Sequence, residues 1–151
     1  MPGIRFLPLL AIPLILAGEQ PTLGRDPPIP AGYLGYTFCR NGLAETWLRA
    51  DLVGTSQAAE VLAHEAVHRR QAAEGAGCEA FFAGLASARR VIEVEIPAYC
   101  EELGVAVVRG GDREDLLRDY ALRISAQSGA MENRLDVLTR LRSACGASPG
   151  S

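Results

Sequence analysis

The chain has 151 residues with 15 arginines, no lysine and 18 acidic residues, for a formal net charge of -3. That length makes one domain and leaves too few residues for a second independent core. With 48% hydrophobic and 22% charged residues the chain is not a disordered tail, and an acidic protein without a basic run lacks the clustered positive charge that nucleic-acid binding needs.

Residues 1–5 carry one positive charge, Phe6 to Ala17 is an apolar run of about 12 residues, and Ala17-Gly18 precedes the polar Glu19. The layout predicts a secretory signal peptide over 1–18, because the run is shorter than the roughly 20 residues a membrane span needs. Cleavage is expected to leave a secreted or periplasmic protein with no stable membrane span. Cys39, Cys78, Cys100 and Cys145 then read as two disulfides, since an even set in an oxidising compartment pairs. Of the three connectivities, Cys78–Cys100 with Cys39–Cys145 is expected, because the first closes a short loop.

Residues 19–36, rich in Pro and Gly, read as an N-terminal arm, 37–146 as the domain and 147–151 as a flexible tail. Residues 36–39 and 45–49 flank Arg40-Asn41-Gly42, and Asn-Gly between two β-prone runs predicts a hairpin. Thr55 or Ser56 caps a helix running to about Glu74, with Val61, Leu62, Ala66 and Val67 apolar. A second helical stretch covers 79–90. A third is expected over roughly 92–103, with Pro97 in its first turn or at a kink and Gly104 at its end. Asp112 caps a fourth helix with Leu116, Leu117, Tyr120, Ala121 and Ile124 on one face, and a last helix carries Met131, Leu135, Leu138 and Leu141. The fold class is therefore α+β and predominantly helical, a small β-hairpin packed on the first helix with three to four further helices.

The chemistry lies in His64-Glu65-Ala66-Val67-His68. Positions i and i+4 of a helix share one face about 6 Å apart, so both imidazoles reach one ion. Glu65 is placed to take a proton from water on that ion, which is the HExxH arrangement of zinc peptidases. The chain has only two histidines, and their falling four apart with a Glu after the first is a coincidence of roughly 1 in 1,000. Gln71 and Glu74 stand where a metzincin needs Gly and His, an inverted HxxEH is absent, and a di-iron site needs a second ExxH. The third ligand is then a carboxylate or a Cys.

Carboxylates are offered by VIEVEIPAYC at 91–100. Across residues 45–104 the chain resembles a small gluzincin-type zinc metallopeptidase domain, in which a second helix supplies a Glu ligand in a Glu-x-Glu-Ala-like segment near a Tyr. The resemblance implies a zincin-like fold, Zn²⁺ held by His64, His68 and Glu95 with Glu93 as second choice, Glu65 as general base, and a peptide or protein substrate. The chain departs from the pattern at Ile96 and Pro97, where Ala is usual. Tyr99, four residues past Glu95, is a candidate catalytic donor to a developing oxyanion, or else a packed ring. One of Arg69, Arg70 and Gln71 is expected to hold a ligand carboxylate. Trp47 with Glu45 and Arg49 is expected to form an edge strand for an extended substrate, or to pack on the motif helix. The competing reading is a non-catalytic secreted binding module, stabilised by disulfides, with a structural or vestigial zinc site.

Overall fold

The structure, a computed structural model, describes residues 32–146. The predicted signal peptide, residues 19–31 of the arm and the tail lie outside the described residues. Strands β1 (Gly35–Arg40) and β2 (Leu43–Leu48) pair antiparallel with Arg40 opposite Leu43. The loop is therefore Asn41 and Gly42, both at positive φ (53° and 80°), which Asn-Gly adopts at little cost and which matches the twist of the two strands. Leu48 and Leu52 pack on Ala58 and Val61 of α1 (Ser56–Glu74), seating the hairpin on the motif helix.

Helix α1 begins where the Thr55 hydroxyl oxygen accepts from the Ala58 N–H at 3.3 Å, and it ends at Gly75. The stretch expected over 79–90 is divided into α2 (Cys78–Ala83) and a 3-10 turn at Gly84–Ala86. Ser87 then caps α3 (Ala88–Val108), accepting from the Arg90 N–H at 3.3 Å. Helix α3 corrects the expected 92–103: it runs unbroken through Pro97 and Gly104. Pro97 lies on its exposed side and supplies no N–H to the carbonyl of Glu93, four residues earlier. Ile92, Ile96, Tyr99 and Leu103 are buried along the same helix, and their packing outweighs the local cost of the proline.

Asp112 caps α4 (Arg113–Gln127) as predicted, accepting from the Asp115 N–H at 2.9 Å. Helix α5 (Arg134–Gly146) follows a 3-10 turn at Met131–Asn133. It buries Val137 and Leu141, whereas Met131 and Leu135, expected on the packed stripe, are 49% and 72% exposed. The face that α3 and α4 cover is the one centred on Val137 and Leu141. Helix α3 is the central element, packed on α1 on one side and on α4 and α5 on the other. The fold is a predominantly helical α+β domain of five helices and one two-stranded antiparallel sheet among the described residues.

The disulfides differ from the expected pairs: Cys39 bonds Cys78, and Cys100 bonds Cys145. Loop length could not choose, because the observed separations, 39 and 45 residues, are both long. Packing chose instead. Strand β1 lies against the start of α2, and α5 runs beside α3, so each cysteine meets the partner its own element touches. No helix among the described residues is long and apolar enough to cross a membrane.

Candidate metal centre

Helix α1 turns His64, Glu65 and His68 inward, leaving them 8%, 6% and 9% exposed. Burying three polar residues on one helix is costly unless something satisfies them. The Nε2 atoms of His64 and His68 are 3.1 Å apart. Glu95 of α3 brings Oε2 to 3.2 Å from His64 Nε2 and Oε1 to 3.5 Å from His68 Nε2. One donor atom from each of the three residues lies within 4.8 Å of the others, a group that can hold a metal ion. Glu93, the second choice, is turned away and pairs with Arg89 at 2.9 Å and Arg90 at 3.6 Å.

The outer nitrogens of the imidazoles are also held. His68 Nδ1 lies 2.9 Å from Gln71 Oε1, and the Gln71 amide nitrogen donates to the Val94 carbonyl of α3 at 3.0 Å. Gln71 therefore orients a histidine, not a ligand carboxylate, and it also ties α1 to α3. Arg70 reaches out to Glu101 at 3.7 Å on the exposed face. Glu102 Oε2 lies 3.0 Å from His64 Nδ1, in ion-pair range but off the line of a hydrogen bond. The Tyr99 ring backs His64 edge-on at 4.4 Å between centroids and leans on Tyr120 at 4.6 Å.

Glu65 sits beside this group and is anchored from the hairpin. Its Oε2 accepts from the buried Thr37 hydroxyl of β1 at 2.7 Å. Gly35 of the same strand passes so close that a Cβ there would stand 2.4 Å from Val61 Cγ1 and 3.1 Å from Glu65 Oε1. Only glycine keeps that oxygen uncovered. Strand β1, not the β2 residues around Trp47, thus lines the cleft.

Burial opposes charge on His64, but the Glu102 and Glu95 carboxylates outweigh it and raise its pKa; burial likewise works against His68, which Glu95 raises. Burial also works against ionised Glu95, yet the His64 and His68 imidazoles beside its oxygens hold it below the usual carboxylate range. For Glu65 burial wins and lifts the carboxyl, against the pull of His64 and the Thr37 hydroxyl. Burial raises the Tyr99 phenol as well, so it stays protonated. The site is a pocket of buried acids that draws positive charge. It opens into a cleft of about 690 Å³ lined by β1, by Phe81, Phe82 and Leu85, and by Arg123 and Gln127 of α4.

The sequence reading missed Thr37, Gly35 and Glu102. The last had a signal, since it lies seven residues past Glu95, two helical turns along the same face. The other two had none, because only the docking of the hairpin brings them to Glu65. The chain matches no protein-family model, no curated protein and no solved structure.

Proposed function

We propose that the chain is an exported zinc-dependent peptidase of the gluzincin kind. The observation that carries the reading is the spacing of the His64, His68 and Glu95 donors, 3.1, 3.2 and 3.5 Å between nearest atoms. Bonds of about 2.0–2.1 Å at tetrahedral angles space ligands ~3.3 Å apart. The buried Glu95 Oε2 supports the same reading, because it has no hydrogen-bond partner among the described residues and an ion would satisfy it. The mixed imidazole and carboxylate set suits zinc, and export fits two disulfides.

Zn²⁺ held by His64, His68 and Glu95 would supply Lewis acidity and make water a nucleophile near pH 7. Glu65 acts through Oε1, the oxygen that Gly35 leaves uncovered, taking the proton of the attacking water and passing it to the leaving amine nitrogen. Thr37 keeps the other oxygen fixed, so the carboxylate does not swing away. Glu102 and Gln71 orient the two rings from behind. The Tyr99 ring supports His64 from the side, and its protonated hydroxyl is the candidate donor to a developing oxyanion.

Glu65→Gln tests the reading. It should retain bound zinc and lose peptide hydrolysis by roughly 10²–10⁴-fold, measured by metal analysis alongside cleavage of an unstructured polypeptide. Zinc retained with no hydrolysis in the unaltered chain would favour a binding module, and failure of both proteins to hold zinc would remove the metal reading altogether.

A further inference from the structure

Arg123 is the one permanent cation lining the cleft among the described residues, and the mechanism above leaves it unused. Apart from the two histidines and the tyrosines, the other ionisable side chains lining it are the carboxyl groups of Glu65, Glu95 and Glu102. Asp119, one turn earlier on α4, holds Arg123 Nε at 2.7 Å, and no other acid ion-pairs with it among the described residues. A carboxylate at Nε occupies one edge of the guanidinium plane and leaves the edge formed by the two terminal nitrogens for a second one. The Arg123 side chain is 45% exposed, so its guanidinium is not sealed in the core.

Tyr99, Arg123 and the metal-centre residues line the same cleft. The Tyr99 ring is 4.4 Å from that of His64, and the charge on Arg123 acts on its phenol. Gln127, one turn beyond Arg123, adds a polar side chain to the same wall of the cleft.

We propose that Arg123, steadied by Asp119, anchors a carboxylate of the substrate, so that the adjoining peptide lies across the metal centre. This deepens the peptidase reading and rests on it. The carboxylate comes either from a peptide's C-terminus or from an acidic side chain, and both present the same pair of oxygens to the guanidinium fork.

The test measures binding to the full chain in EDTA, so that it does not depend on turnover. The probes are N-acetyl-trialanine, its C-terminal amide, and the amide with glutamate as the third residue. At least one carboxylate peptide should bind roughly ten- to a hundredfold tighter than the neutral amide, in line with a charge-assisted hydrogen bond. Which one does so identifies the source. In Arg123→Gln that ratio should fall towards one, in Arg123→Lys only partly, and in the surface variant Arg118→Gln not at all. Equal binding of all three peptides, binding of none, or an unchanged ratio in Arg123→Gln would overturn the proposal. A carboxylate preference without hydrolysis in zinc would instead count against the peptidase reading and leave the anchor standing.

Discussion

At the residue scale the centre depends on side chains that do not themselves reach a metal. His64 and His68 offer their Nε2 atoms only because Glu102 and Gln71 occupy the opposite sides of the rings. Losing such a partner typically weakens metal affinity by about 10–100-fold. Glu102→Gln keeps the shape and removes the charge, so it should weaken zinc binding within that range in competition against a chelator. Unchanged affinity would reduce Glu102 to packing. The HExxH spacing was legible because it is a property of one helix. Glu95 was legible only through resemblance, and Glu93 was separated from it by the structure, which pairs Glu93 with two arginines at the surface.

At the element scale α3 is the telling case. Local rules ended it at Gly104 and put Pro97 in its first turn or at a kink, yet it spans 21 residues. Proline inside a helix costs ~3 kcal/mol relative to alanine. The helix persists because Ile92, Ile96, Tyr99 and Leu103 join the largest core cluster with α4 and α5, and Val94 packs against Phe81 and Ala72. Pro97→Ala restores a backbone donor on the exposed side, while the unfolded chain gains freedom. The balance is a gain of about 1–2 kcal/mol, read as a higher urea midpoint with an unchanged slope. A lower midpoint would show that the proline fits the helix without loss. The unbroken helix matters to the site because Glu95, Tyr99 and Glu102 share its inward face only if the turn between them is regular.

For the whole molecule the two disulfides clamp the two walls of the cleft separately. Cys39–Cys78 holds the hairpin, and with it Thr37 and Gly35, to the segment after α1. Cys100–Cys145 holds the helix that carries Glu95 to α5. Chain entropy credits each bridge with about 4 kcal/mol. That is a large share of the 5–15 kcal/mol typical of a domain. Peptide mapping of the unreduced protein should recover these two pairs. Replacing either pair by alanines should lower stability by about 4 kcal/mol, and removing both should leave the chain unfolded at 37 °C by circular dichroism. Recovery of a Cys78–Cys100 peptide would contradict the packing of β1 on α2.

The sequence alone determined what is local: the Asn-Gly hairpin, a cap at Thr55 or Ser56 and another at Asp112, the face shared by His64 and His68, and the helical class of the chain. Each follows from bonds or periodicities within a few residues. Tertiary structure decided which cysteines pair, how far α3 runs, which face of α5 is buried, and that Thr37, Gly35 and Glu102 attend the centre. Those outcomes depend on which faces of distant elements find each other. That is settled by burial of apolar surface summed over the whole chain, and no window of the sequence contains it.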